Sequence, residues 1–321
     1  MTRPPRILAL WSAPRSRSTA FLRMMVKRGD HTVLHEPFSH LLDFGHATIG
    51  EGEARSEEEL IAAIRRQATK NPVFFKDTTD FRYEGLLADT EFLREATHTF
   101  IVRHPAPVIA SHYALNPDVG RDDIGFGRLA EIYDAVHAAT GTEPVVISSE
   151  DLVADPANTV RTYCDVVGLR FVPAALSWEA GLLPQWQRTS RWHQQTSRTT
   201  GFADVGTNYP DTVDNHPLLS DFLQYHLPYF HKLFERRLTP RTGKSVHERT
   251  QGSGEMTTEV TDQPDSAKSD CPMCESPISC QDTVLLNEIV ECGECRSELE
   301  VVSLEPLLLA LAPDVEEDWG E

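Results

Sequence analysis

The 321-residue sequence predicts an α/β domain with a mainly parallel sheet, followed by a small β-rich module. Over residues 1–238, short apolar runs rich in β-branched and aromatic residues alternate with longer stretches of helical periodicity, the pattern of strand–helix–strand units. Five of the six cysteines fall instead in the last 51 residues, a length too small to build a large core of its own. Between the two, residues 239–269 are dominated by Thr, Ser, Gly, Glu, Asp and Lys, and read as a flexible linker spanning ~30 Å. The organisation is therefore a domain at 1–238, a linker at 239–269 and a module at 270–321, with no internal repeat.

Strands are expected at 7–11, 32–35, 73–76, 99–102 and 145–148, and helices at 19–27, 57–69, 107–115 and 126–140. The Arg and short apolar stretch at 3–13 weakly imitate a secretion signal, but the stretch is too short and runs into Pro14-Arg15-Ser16-Arg17-Ser18, so it reads as a first buried strand. No apolar run approaches a membrane span. Clustered Cys-x-x-Cys pairs without a secretion signal suit metal binding in a reducing compartment, and a cytoplasmic location is expected.

The net charge of −19 is unevenly spread: residues 270–321 hold fourteen acidic residues against one basic residue, Arg296. Such a module is a poor partner for nucleic acid and suits docking onto basic patches of other proteins, although acidity also serves solubility.

The strongest pattern in the first domain is Trp11-Ser12-Ala13-Pro14-Arg15-Ser16-Arg17-Ser18-Thr19. A strand ends at Ser12 and a helix begins near Ser18, so backbone N–H groups and hydroxyls between them can surround a phosphate at a helix N-terminus. Arg15 adds a permanent forked cation. The Gly-Lys pair of a Walker A loop is absent. A second piece, Phe100-Ile101-Val102-Arg103-His104-Pro105, delivers Arg103 to a strand end, with Ser111 two turns into the next helix. The pair can grip a second phosphate; an Arg at a strand end also commonly serves a structural ion pair.

Together these pieces resemble the sulfotransferase family, in which a loop of the form Pro-(Lys/Arg)-Ser-Gly-(Ser/Thr)-Thr is followed by Val-Arg-(Asn/His)-Pro and a Ser on the next helix. Glu150-Asp151-Leu152, Asp155-Pro156 and Val167-Gly168-Leu169 are similar to later stretches of that family, so the resemblance covers roughly residues 5–200. It implies a P-loop-like three-layer fold and, as donor, 3′-phosphoadenosine 5′-phosphosulfate (PAPS). By residue match, Arg15, Ser16, Arg17, Ser18 and Thr19 would meet the 5′ end, and Arg103 and Ser111 the 3′-phosphate; Arg17 stands at the family's usual Gly.

Many members carry a His two residues beyond a Lys at the end of the third strand. Here Lys76 is followed by Thr78, which cannot act as a base; Lys76 would steady charge on the leaving phosphate. His35-Glu36-Pro37-Phe38 is similar to a branch with a Glu after the second strand, which favours Glu36 as base and His35 as second choice, against a structural salt bridge at Glu36. Residues 185–202, with Arg188, Arg191, Trp192, His193 and Arg198, suit either a closing loop or an exposed surface loop.

In the last module, Cys271-Pro-Met-Cys274 and Cys292-Gly-Glu-Cys295 lie 17 residues apart, the spacing of a structural zinc ribbon in which four thiolates close the coordination shell. Cys280 is left over. Glu288-Ile-Val-Glu-Cys292, Glu298-Leu-Glu-Val-Val302 and the terminal Glu317-Asp-Trp-Gly-Glu321 resemble the amino-group carrier proteins of the LysW type. That resemblance implies amide attachment of an amino-acid amine to the side chain of Glu321. The fusion leads to the expectation of sulfonate transfer from PAPS to a hydroxyl of a carrier-bound amino-acid derivative, activating it for ring formation. A free small-molecule alcohol, or a carrier scaffold without activity, are the alternatives.

Overall fold

The protein is described by a computed structural model over residues 4–50, 52–183, 186, 189–203, 206, 208–239, 268–270, 277–279, 288–292, 297–304 and 307–311. The chain divides into two compact units, Met1–Ser245 and Val246–Glu321.

The first unit is organised by β1 (Ile7–Ser12), whose six residues are all buried. It is followed by α1 (Ser18–Arg28), β2 (Thr32–His35), α2 (Pro37–Phe44), a small antiparallel pair β3 (Ala47–Ile49) and β4 (Gly52–Ala54), and α3 (Glu57–Lys70). Next come β5 (Val73–Thr78), α4 (Glu84–Ala88), α5 (Thr90–Glu95), β6 (Thr97–Val102), α6 (Pro105–Tyr113), α7 (Phe126–Thr140) and β7 (Val145–Ser148). The helices α8 (Ser149–Ala154), α9 (Pro156–Val167), α10 (Ser190–Ser197) and α11 (Pro217–Phe234) complete it.

Five strands pair in parallel in the order β2-β5-β1-β6-β7. Because successive strand residues point to opposite faces, β1 sends Ile7, Ala9 and Trp11 into one core and Leu8 and Leu10 into the other. The first core packs Phe38, Phe75, Phe92 and Phe100; the second packs Phe21, Leu22, Phe74 and Tyr163. The sheet is thus buried between two helical layers, as the alternating sequence predicts. All five expected strands form, and four of the helices lie where periodicity places them. The short α2 directly after Glu36 and the long α11 were not anticipated; Pro37 and Pro217 open them at the first helical position, where the missing N–H carries no penalty. No helix among the described residues is long and apolar enough to cross a membrane.

The second unit contains β8 (Lys268–Asp270) paired antiparallel with β9 (Pro277–Ser279), and a three-stranded antiparallel sheet in the order β10 (Ile289–Glu291), β11 (Glu298–Leu304), β12 (Leu307–Leu311). Cys292, Leu299 and Val301 are buried, with Ile278, Val290 and Leu309 packed on them. This is the β-rich module expected, with a core of a few side chains.

Candidate active site

The strand order reverses direction at β1, which has β5 on one side and β6 on the other, and ligands of open parallel sheets bind beyond the C-terminal strand ends at such a point. A cleft of about 650 Å³ opens there. It is lined by Arg15, Ser16, Arg17, Ser18 and Thr19 after β1, Glu36 after β2, Lys76 and Thr78 from β5, and Arg103 after β6. The sheet therefore brings together nearly every residue singled out in the first domain.

At one end, the β1–α1 loop turns sharply. Arg15 and Arg17 both adopt left-handed backbone, at φ 63° and 64°. That explains why similar loops carry Gly where Arg17 stands: a residue with a Cβ is disfavoured there by roughly 1–2 kcal/mol. The α1 N-terminus receives no side-chain cap from Arg17, and the Ser16 Oγ is buried in the loop without a hydrogen-bond partner in the structure. Exposed helix N–H groups and an orphaned hydroxyl fit an anionic oxygen. Arg15 Nε donates to Ser111 Oγ (2.9 Å), its Nη1 to the Trp192 carbonyl (2.6 Å), and Arg103 Nη1 donates to the Arg15 carbonyl (3.1 Å). Burial pushes the Arg15 guanidinium below its ordinary value, with Tyr209 and Glu36 opposing, so an added anion would be favoured. Ser111 is buried and reaches the site through Arg15 rather than by lining the cleft.

At the other end, Glu36 also has left-handed backbone (φ 48°). Its N–H donates to the Lys76 carbonyl (2.7 Å) and its carboxylate is ion-paired with the Lys76 ammonium, which is only 2 % exposed. His35 Nε2 stands 3.6 Å from the other carboxylate oxygen. Burial alone would raise the Glu36 carboxyl, but His35, Lys76 and His193 more than reverse this and hold it well below the usual carboxylate range. Since burial also pushes His35 well below its ordinary value, the imidazole is neutral at neutral pH and Lys76 supplies the pairing charge. Asp77 fixes this wall from beneath: it accepts from Phe38 N–H (2.6 Å), Ser39 N–H (3.1 Å) and Ser39 Oγ (2.7 Å), tying α2 to β5, while burial pushes its carboxyl up to about 7. Thr78, at the position where many sulfotransferases carry a His, donates to Asp80 (2.9 Å).

The cleft is roofed by Thr189, Trp192, His193, Thr196 and Thr199. The His193 ring stacks on Trp186 (4.9 Å) and meets His35 edge-on (4.8 Å), and burial pushes it down to about 4. Arg23 of α1, 4 % exposed, anchors the roof by donating to the carbonyls of Gly181 (2.8 Å), Thr196 (3.1 Å) and Glu179 (2.5 Å) between the Trp178 and Trp186 rings. The segment suspected of closing the site does cover it, whereas Arg191 and Arg198 are exposed. Asp80, His193 and Arg23 were not foreseen as site residues. The sequence signals are a Thr-Thr-Asp run at the end of β5, an Arg in an otherwise apolar helix face and, for His193, its place in the 185–202 segment that suits a closing loop.

A family model described as a sulfotransferase domain matches residues 5–237. The chain belongs to the sulfotransferase family. Sequence relatives include the branched-chain-amino-acid aminotransferase-like proteins 2 and 1 of Arabidopsis thaliana, each 29 % identical over 71 % of this chain; the chain spans only 41 % and 42 % of their lengths. Among solved structures, the sulfotransferase domain of the Synechococcus PCC 7002 olefin synthase is similar at a TM-score of 0.37 and 16 % identity, covering 70 % of this chain and 96 % of that one. A second family model, the globular domain of α-aminoadipate carrier protein LysW-like proteins, matches residues 269–314. The α-aminoadipate/glutamate carrier protein LysW of Saccharolobus solfataricus is 46 % identical over 52 residues, 16 % of this chain and 91 % of that protein. The sulfotransferase thus carries a LysW-like domain at its C-terminal side. There, Cys292 is buried at the end of β10, and its N–H donates to the Ser297 carbonyl (3.0 Å). The other expected zinc ligands, Cys271, Cys274 and Cys295, and the attachment residue Glu321 lie outside the described residues.

Proposed function

We propose that this sulfotransferase moves the sulfonate group of PAPS to a hydroxyl of an amino-acid derivative held as an amide on Glu321 of an amino-group carrier domain. The observation that carries this reading is the union, in one chain, of a sulfotransferase domain and a LysW-like domain. PAPS supplies a sulfonate on a good leaving group. Ser16, Ser18, Thr19, the α1 N–H groups, Arg15 and Arg17 would hold its 5′ end, and Arg103 its 3′-phosphate, with Ser111 setting Arg15.

The acceptor oxygen attacks sulfur, the sulfur–phosphate oxygen bond breaks, and the leaving oxygen keeps the electron pair. Lys76 would balance charge on that oxygen. As its ammonium turns away from Glu36, the carboxylate loses its main stabilising charge, its pKa rises, and it becomes a better acceptor for the hydroxyl proton. His35 is the second-choice acceptor beside it.

Attachment to Glu321 removes the basicity of the linked amine and raises the local concentration of substrate. The acidic carrier suits basic patches on other enzymes that charge or unload it. Zinc held by Cys271, Cys274, Cys292 and Cys295 would have a structural part only, and a chelator should unfold the carrier while the first domain stays folded. Sulfation converts hydroxide, a poor leaving group, into sulfate, a good one, which prepares the carbon for ring closure by a nearby amine.

Incubation with isotope-labelled PAPS and charged carrier, followed by mass spectrometry, tests the reading. Label on the carrier-bound cargo supports it. Label only on a free alcohol redirects it to small-molecule sulfation, and no label at all removes the activity.

A further inference from the structure

The acceptor wall of the cleft carries three carboxylates, with Lys76 beside Glu36 and Arg191 within electrostatic reach of Asp43. Glu36 and Asp80 both line it, and Asp43 stands at the exposed rim. Lys76 is engaged by Glu36. Among the described residues no Lys, Arg or His lies within ion-pair distance of the Asp80 carboxylate. Its side-chain donor is the Thr78 hydroxyl (2.9 Å). Arg128 approaches but donates to the Asp80 backbone carbonyl and faces Asp123 at 3.5 Å. Burial, then the Glu36 charge, push the Asp80 carboxyl up to about 6, which marks a carboxylate left short of compensating charge. Accepting from the Thr78 hydroxyl and from its own backbone N–H needs no charge, since an amide oxygen would do the same, so the fold itself gains little from an ionised group here.

A separate feature of the same cleft also awaits a ligand. His193 is 3 % exposed, and its Nδ1 has no hydrogen-bond partner in the structure. With Nε2–H donating to Thr189 Oγ1 (3.1 Å), Nδ1 keeps an unused lone pair that is itself buried. The ring is neutral at neutral pH, so it does not repel a cation.

We propose that Asp80 is the recognition residue for a primary ammonium carried by the acceptor beside the hydroxyl that is sulfated, in a cleft whose roof holds the unpartnered His193 Nδ1. The substrate class is then an amino alcohol with a free amine, distinct from the amine masked on the carrier. A protonated amine brings three N–H donors and the charge that the wall lacks. This deepens the reading above and rests on it in one respect, that the acceptor occupies this cleft.

The test is a pair of isosteric probes, 1-amino-2-propanol and 2-butanol, titrated by NMR into the full chain loaded with 3′,5′-ADP. The ammonium probe is expected to bind at least about tenfold more tightly than the alcohol. Asp80→Asn should erase the preference, and Asp80→Glu should keep part of it. Equal affinities in the wild-type chain, no binding of the ammonium probe up to about 100 mM, or a preference that survives Asp80→Asn would each overturn the proposal. The wild-type comparison stands whether or not a variant folds. Binding of 3′,5′-ADP is read in the same samples: its absence would strike the donor reading, and the two probes would still be compared on the ligand-free chain.

Discussion

The two ends of the cleft are made in opposite ways. The proposed donor end comes largely from one contiguous loop, residues 14–19, whose helix N–H groups and orphaned Ser16 hydroxyl fit an anion. The acceptor end is assembled from the tips of β2 and β5, Asp80, and the roof around His193, and there carboxylates outnumber the available cations. Donor binding is therefore a matter of local backbone shape, and acceptor binding of tertiary convergence. The first needs groups that are general for any phosphosulfate; the second leaves an electrostatic imbalance that selects a partner.

The sharpest break between the ends should come from Glu36→Gln. Turnover is expected to fall by roughly 10²–10⁴, while calorimetric affinity for 3′,5′-ADP stays the same. A parallel loss of nucleotide affinity would mean that the two ends are not separable; near-normal turnover would pass the proton to His35 or to the acceptor itself. Arg103→Ala should do the reverse, weakening 3′,5′-ADP by about 2 kcal/mol and leaving the ammonium preference intact. Unchanged nucleotide affinity would take Arg103 out of the donor end.

Smaller effects probe the stability of each end. The Asp80 carboxyl is raised in the folded state, so its destabilising charge is present above about pH 6 and disappears below the unfolded value near 4. Asp80→Asn should accordingly stabilise the protein by about 1 kcal/mol at pH 8, discounted for partial exposure, with no gain at pH 3.5. Thermal melts showing the same gain at both pH values would contradict a charge effect. Arg17→Gly should relieve the left-handed backbone and, after the entropy of Gly is subtracted, raise stability by about 0.5 kcal/mol. A loss of stability would show that the Arg17 side chain does more than the loop conformation requires.

What the sequence discloses follows the same division. The strands were legible because a sheet buried on both faces needs unbroken apolar runs, as in Ile7–Ser12. The donor loop was legible because its residues are consecutive. Glu36 and Lys76 could be suspected singly, but the ion pair that lowers the basicity of Glu36 depends on β2 lying beside β5, with His35 opposite Lys76. Ser111 was expected to meet a phosphate directly; its bond to Arg15 depends on how α6 packs, which spacing does not reveal. Asp80 and His193 are far apart in the chain, and each sits in a polar stretch that reads as ordinary loop.

The Arg23 anchor has an evolutionary consequence. The roof segment is closed at its base by backbone bonds, Trp178 N–H to the Thr200 carbonyl (2.9 Å) and Gly181 N–H to the Ser197 carbonyl (2.7 Å), and Arg23 grips backbone carbonyls on both of its limbs. These hydrogen bonds read no side chain of the segment, although the Trp178 and Trp186 rings flank the Arg23 guanidinium. Provided those two rings are kept, the rest of the tip can be exchanged, lengthened or grafted from a homologous protein without disturbing its attachment to α1, in the way that rigid scaffolds tolerate variable loops. Acceptor choice becomes a replaceable cassette, able to drift toward new alcohols while the sulfonate-handling frame below it stays fixed.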